Sequence, residues 1–435
     1  MNTILRHFQI QARGSSIGRE LLGGVTTFFA MAYLIAVIPG ILSRIGMEFS
    51  AVMTATCLAA AAGSIATGLF ANLPFAQAPG LGFQTVFTLT LCSRYGYSWQ
   101  QALAVVFLSG LLFLAIALTP LRERITDAIP MPFKFALSAG IGLLITLSGL
   151  INAGLVTAED NLLDMGDVTG IMPLLALFGI FLTAALLIRR VKGALVIGMA
   201  AITVLGIPFG ITRMPQELEM VRGAGAVAFK LDFQGLASHG MIPLVSSILT
   251  LTLCDFFDTV GTLLGVGGDA KMTDNTGDLP GGGRAIVCDA AATCVGALLG
   301  VSNTTTVAES ATGIQEGART GLSAVVTGLL FLLAIPLAPF VSAIPGAATT
   351  AAMVIVGMMM MSGITQIHWK HVEVSLPCFL IIVGMPFTSS ITTGISMGFL
   401  SYVVLMVMRK RAHLVSPYLY VLAGMFLVMY VLAAL

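Results

Sequence analysis

The chain has 435 residues, 57% hydrophobic and only 9% charged, with a net charge of +1 and a mean hydropathy of +0.98. A soluble domain carries roughly 25% charged residues, so this sequence cannot cover a water-facing surface and its solvent is lipid. A charge this close to zero also excludes nucleic acid as a partner, which would need a basic face. The six cysteines, Cys57, Cys92, Cys254, Cys288, Cys294 and Cys378, lie scattered in apolar stretches without CxxC or Cys/His spacing. They read as small apolar fillers, neither a disulfide framework nor a metal site.

Residues 1–17 form a cytoplasmic tail in which Arg6 and Arg13, followed by Arg19, precede a long apolar run beginning near Leu21. That run lacks a small-residue cleavage site and exceeds a signal-peptide core, so it is a retained first span. A helix needs about 20 apolar residues to cross a bilayer. On that measure the first series of spans falls at 18–42, 51–71, 74–92, 100–119, 134–152, 171–189 and 193–209. A polar connector, 210–240, separates it from a second series at 241–264, 285–301, 302–316, 321–343, 345–363, 372–387 and 389–408. The chain closes on a basic stretch and a hydrophobic segment, 409–435, whose relation to the membrane the sequence leaves open.

Basic residues mark cytoplasmic loops. With the N-terminus inside, counting spans places Arg122, Arg124 and Lys134 inside, together with Arg189, Arg190 and Lys192. Lys370, His371, Arg409, Lys410 and Arg411 also fall inside, and the acidic Glu159, Asp160, Asp164 and Asp167 fall outside. Fourteen spans agree with this bias, in a multi-pass protein of the cell membrane.

Two segments cannot be ordinary membrane helices. Asn72-Leu-Pro-Phe-Ala-Gln-Ala-Pro-Gly-Leu-Gly-Phe-Gln84 carries Pro74, Pro79, Gly80 and Gly82, which interrupt a regular helix. Gly300-Val-Ser-Asn-Thr-Thr-Thr-Val-Ala-Glu-Ser-Ala-Thr-Gly313 holds the β-branched run Thr304–Val307, which favours extended backbone. They could be loops outside the bilayer, but the apolar sequence around them is too short for loops and separate spans. Broken backbone at membrane depth must be buried in protein or line a cavity. The first break follows Thr26-Thr-Phe-Phe29, and the second follows Cys254-Asp-Phe-Phe257, at about the same distance of fifty residues. Each is the third span of a series of seven, and an odd number of spans inverts the second series against the first. Paired broken helices in inverted repeats point to a midplane substrate site.

Ionisable side chains inside spans cost several kcal/mol and are functional hypotheses by default. Asp255 and Asp258 are spaced i, i+3 and share one helical face. Glu309 sits where the second break should turn from extended to helical. The alternative for all three is an interhelical tie, and Asp255 is the one best suited to a supporting role. Asp289 is expected about one turn from the cytoplasmic end of its span, in a structural or gating role. Carboxylates can accept hydrogen bonds from ring N–H or amino groups of a planar ligand and can exchange protons; Asp258 and Glu309 are the proton-coupling candidates. Phe83, Phe256 and Phe257 offer faces for stacking, though aromatic residues in spans also simply fill the core. Gln84, Thr305, Thr306 and Ser310 would complete a polar lining.

At these residues the chain resembles the AzgA-like purine permeases of the nucleobase–cation symporter-2 family, from Gly14 to about Arg411. The resemblance rests on Gly24-Val-Thr-Thr-Phe-Phe-Ala-Met-Ala-Tyr33, Ala76-Gln-Ala-Pro-Gly-Leu-Gly82, Asp255-Phe-Phe-Asp-Thr-Val-Gly-Thr262, and Glu309-Ser-Ala-Thr-Gly313 with Gly317-Ala-Arg-Thr-Gly321. It implies an all-α polytopic protein of fourteen spans in a seven-plus-seven inverted repeat, with short β-strands in the broken spans 3 and 10. Spans 1–4 and 8–11 would form a core domain and spans 5–7 and 12–14 a gate. Also implied are purine uptake by proton symport, with the core sliding against the gate, homodimers, and no cofactor. Asp255 or Asp258 and Glu309 would hold the base. Gln84 stands where the family commonly has asparagine, and Ser302-Asn-Thr-Thr-Thr306 replaces its small-residue run, with Asn303 expected a little short of the site.

Two other functions compete. An inorganic-anion carrier on the same architecture would use half-helix N-termini, but the expected cavity holds acidic residues and no basic one. A membrane enzyme would need more than His368-Trp-Lys-His371, a histidine pair in an expected cytoplasmic turn with no matching carboxylate. Gly281-Gly-Gly-Arg284 lacks the P-loop pattern, so ATP is not the expected energy source.

Overall fold

The computed structural model describes residues 8–119, 130–159, 162–191, 193–212, 224–236, 240–269, 272, 279–337, 344–388 and 391–434. Arg6, Arg122, Arg124, Lys192, Asp160 and much of the 210–240 connector lie outside the described residues.

Among the described residues, eight helices are long and apolar enough to cross a membrane: Ile17–Ile45, Phe49–Ala71, Trp99–Ala117, Met131–Asn152, Ile171–Ile188, Pro243–Leu263, Gly282–Leu299 and Gly346–Gln366. These are spans 1, 2, 4, 5, 6, 8, 9 and 12. Four shorter apolar helices, Ala194–Leu205, Gly321–Ala334, Val372–Thr388 and Thr393–Met408, are spans 7, 11, 13 and 14. Two broken spans complete the set of fourteen. Span 3 is a strand, β1 (Gln77–Pro79), followed by helix from Leu81 that widens into π-type turns through Arg94. In span 10 a strand, Thr304–Thr306, precedes the short helix Ser310–Gln315.

Several boundaries differ from expectation, each for a local reason. Span 1 is two helices, Ile17–Met31 and Leu34–Leu42, joined at Ala32–Tyr33 by tight i→i+3 bonds such as Ala36 N–H to the Tyr33 carbonyl at 3.1 Å. Pro39 has no N–H to return to the carbonyl one turn earlier, which loosens the ladder there. Span 11, expected to reach 343, ends at Ala334, and Pro336 stands in the tight turn that follows. The acidic segment after span 5 is a hairpin, β2 (Val156–Glu159) against β3 (Leu162–Met165), with Val156 opposite Met165. The strand of span 10 is therefore β4.

The helices pack in two groups. Spans 1, 2, 4, 8, 9 and 11 pack on one another, with the short helix of span 10 against span 1 and β1 against span 2. Spans 5, 6, 7, 12, 13 and 14 form the other group, centred on span 5 against spans 12 and 13. The final helix, Pro417–Ala434, leans on spans 14 and 8. Span 3 touches the second group where Gly82 meets Ile141 of span 5; a β-carbon at residue 82 would collide with that side chain.

One end of the first group is fastened by polar side chains. Glu20 is fully buried and accepts the backbone N–H groups of Arg319 (2.8 Å) and Thr320 (3.3 Å), capping the start of span 11 from span 1. Asn72, at a left-handed φ of 53°, accepts from Gly321 N–H at 2.9 Å, and Arg13 donates to its carbonyl at 2.7 Å. Span 1 and the start of the span 3 break are thus tied to the start of span 11.

Candidate functional site

The site is organised by the crossing of β1 and β4. They pair antiparallel, Gln77 opposite Thr306, Ala78 opposite Thr305 and Pro79 opposite Thr304. Bonds from Gly80 N–H to the Asn303 carbonyl (3.0 Å) and from Val307 N–H to the Ala76 carbonyl (3.1 Å) extend the ladder. Two strands leave two open edges, and lipid cannot satisfy them. Side chains do so instead. Ser64 of span 2 accepts from Gln77 N–H at 2.9 Å and donates to the Gln77 carbonyl at 3.0 Å. On the other edge Asp289 of span 9 accepts from Thr306 N–H (2.6 Å) and from the Thr306 hydroxyl (2.7 Å). The Gln77 amide reaches the same Asp289 oxygen at 3.4 Å.

Asp289 was expected about one turn from the end of its helix. It lies about two turns inside the helix Gly282–Leu299, fully buried, as the acceptor for the strand crossing. The helix begins at Gly282, three residues before the expected start at 285, which sets Asp289 deeper. Ser310 Oγ accepts from Ala76 N–H at 3.0 Å and ties β1 to the short helix of span 10.

The three central carboxylates differ in their surroundings. Asp255 is fully buried; its Oδ2 accepts from the Thr293 hydroxyl at 2.7 Å and from the Asn303 amide at 2.9 Å. Asn303 is therefore part of this cluster and not short of it. Asp258, one turn on, is partly exposed, shares Thr305 with Asp255, and lies close enough to Asp255 and Glu309 to feel both charges. Glu309 stands at the N-cap of the span 10 helix, also partly exposed, and its Oε1 accepts from the Tyr33 hydroxyl at 2.7 Å.

Gln84 is fully buried, and neither its amide nitrogen nor its amide oxygen has a hydrogen-bond partner among the described residues. Buried polar atoms without partners cost about 1–3 kcal/mol each, which marks this amide as waiting for a ligand or water. Phe83 packs over Gly80 and Thr305 at the crossing; a β-carbon on Gly80 would meet its ring at 2.7 Å. Phe256 is core, edge-on to Phe113 and to Phe257 with ring centroids 5.8 and 5.3 Å apart. Phe257 is buried beside it. The Thr306 side chain is committed to Asp289, while the Thr305 and Thr259 hydroxyls share a hydrogen bond of 3.1 Å.

Sequence reasoning missed Tyr33, Ser64, Gln77 and Thr293 as polar members. Thr293 carried a signal, standing i+4 from Asp289 on the same helical face. Ser64 and Gln77 carried none, because their role exists only once the strands cross. A separate cleft of about 250 Å³ opens between Ala36, Gly40 and Arg44 of span 1 and Asn152, Met172, Thr349 and Met353 of spans 5, 6 and 12. It is not lined by Gln84, Asp255, Asp258 or Glu309.

Fourteen spans with paired strand breaks around buried carboxylates define a polytopic membrane carrier of the seven-plus-seven inverted-repeat type. Solved structures share that fold: the transmembrane domain of the cyanobacterial bicarbonate transporter BicA aligns with TM-score 0.66 over 87% of this chain and 97% of its own, at 17% identity. The murine anion transporter SLC26A9 in its inward-facing state aligns with TM-score 0.66 over 91% and 69%, at 9% identity. A permease-family model, that of the nucleobase–cation symporter-2 family, matches residues 18–397, and the chain belongs to that family. Similar curated proteins include a putative permease of Methanocaldococcus jannaschii, 41% identical over 99% of both chains. The guanine/hypoxanthine permease PbuG of Bacillus subtilis is 39% identical over 98% of both, and the adenine permease AdeP of Escherichia coli 35% identical over 97% of this chain and 94% of its own.

Proposed function

We propose that the chain imports purine nucleobases across the cell membrane by proton symport, with its N-terminus on the cytoplasmic side. Two partly exposed carboxylates, Asp258 and Glu309, lie on the spans that meet at the strand crossing, and span 3 brings to that crossing a buried amide, Gln84, with both polar atoms unpartnered; that combination carries the proposal. A carboxylate accepts ring N–H groups. An amide presents a donor beside an acceptor, which matches the adjacent N–H and C=O of a 6-oxopurine. Turned over, the same amide matches the ring nitrogen and amino group of adenine. Relatives named for guanine, hypoxanthine and adenine agree with this chemistry. An inorganic anion would instead meet Asp258 and Glu309, whose charge repels it.

Asp258 and Glu309 are assigned to base and proton binding. Asp255, held by Thr293 and Asn303, supports Asp258 from behind, and Phe83 and Phe257 shape the apolar floor. The first packing group acts as the moving core and the second as the gate, sliding at contacts such as Gly82 on Ile141, where a small residue keeps the surface smooth.

A thermal-shift screen of the purified protein against purine and pyrimidine bases, sulfate and bicarbonate tests the assignment. Stabilisation by a purine base, through linkage, is the expected result; stabilisation by an anion alone would overturn it. Gln84→Leu should weaken base binding by at least roughly tenfold, since it removes a donor and an acceptor from a dry site. Gln84→Asn, one methylene shorter, should keep part of the affinity and change the order of preference among bases. Equal affinities in all three forms would remove Gln84 from the pocket.

A further inference from the structure

Tyr33 is only 2% exposed, and its hydroxyl donates to Glu309 Oε1 from a position 276 residues away in the chain. A buried tyrosine hydroxyl needs a hydrogen-bond partner. Tyr33 occupies the turn that joins the two helices of span 1, where Ala32–Tyr33 interrupts the regular ladder. The Tyr33 ring itself belongs to the buried apolar core, which restricts its movement.

Glu309 is built very differently. It springs from the junction of β4 with a six-residue helix and has three freely rotating side-chain bonds. Left alone, the carboxylate would sample many orientations, at an entropic cost each time a base bound. A rigid donor on Oε1 restricts that freedom.

We infer that Tyr33 is a positioning residue for substrate binding: it holds the Glu309 carboxylate by Oε1 so that Oε2 meets the N–H of the purine base. The inference rests on the reading of Glu309 as a base-binding group. It also joins span 1 to span 10, so the two halves of the core carry one shared element of the site.

Tyr33→Phe removes the hydroxyl and keeps the ring. In cells or vesicles with matched amounts of protein, KM for labelled hypoxanthine or adenine should rise roughly tenfold while Vmax changes much less, as expected for lost preorganisation. The unfolding temperature without base should stay at the wild-type value. A second measurement keeps the hydroxyl: 3-fluorotyrosine placed at position 33 alone should show a fluorine resonance that moves when Glu309 is replaced by Gln, with no base present. Wild-type KM in Tyr33→Phe, or a fluorine resonance indifferent to Glu309→Gln, would overturn the role of Tyr33. If Tyr33→Phe fails to reach the membrane, the fluorine measurement decides alone. Wild-type uptake by Glu309→Gln would instead overturn the reading of Glu309 itself, so the two failures are distinguishable.

Discussion

Glu309→Gln is expected to lower purine uptake at least a hundredfold while leaving the fold intact. The amide oxygen can still accept from Tyr33, so the local packing loses little. On the proposed reading, what goes is the charge that receives the ring N–H and the proton. A hydrogen bond to a charged group contributes about 1.5–3 kcal/mol, which converts to roughly ten- to a hundredfold in affinity. Loss of proton exchange adds to that, because a permanently neutral side chain cannot couple a gradient to the base. The check is initial-rate uptake normalised to protein in the membrane, together with unfolding temperatures with and without base. The expected pattern is a normal temperature without base, no shift with it, and uptake near background. Unchanged uptake would remove Glu309 from the site.

Asp289 should behave in the opposite sense. It receives the backbone N–H and the hydroxyl of Thr306 and faces the Gln77 amide, so it is the acceptor on which one edge of the strand pair depends. Asp289→Ala leaves those donors buried without an acceptor, at about 1–3 kcal/mol each. It should lower the unfolding temperature clearly and abolish base binding together with it. Asp289→Asn keeps an oxygen in place and should recover much of both. A different outcome, in which Asp289→Asn folds normally but transports as poorly as Asp289→Ala, would mean that the charge of Asp289 takes part in proton movement and that bracing is only half its task.

The parts of this architecture that were legible in the sequence are those governed by local chemistry. Pro79 and Gly80 interrupt a regular helix, and Thr304–Thr306 prefers extended backbone; both breaks became strands, although Gly82 is already helical. Asp255, Asp258 and Glu309 stood out because charge is rare in an apolar span, and all three lie beside the crossing. The rest depended on which spans meet. Thr306 read as pocket lining, but its register opposite Gln77 turns its side chain to Asp289. Tyr33 lay inside a quoted motif without a role, since an aromatic residue in a span is ordinary until its partner on span 10 is known. Glu20, within the first turn of span 1, gave no hint that it caps span 11. Such contacts join residues some 200–300 positions apart, and no periodicity records them.

The two packing groups give a physical frame for transport. The carboxylates and the strand crossing belong to one group, so on the proposed reading a base bound there would travel with it, and the approach of Gly82 to Ile141 is one of the surfaces it would slide on. The central claim is that this site takes a purine base together with a proton. Purified protein in sealed proteoliposomes, with an imposed inward proton gradient and labelled hypoxanthine outside, tests it most directly. The expected result is transient accumulation above equilibrium, abolished by a protonophore and competed by unlabelled guanine or adenine. Uptake of bicarbonate or sulfate, with no uptake or competition by any purine, would contradict it.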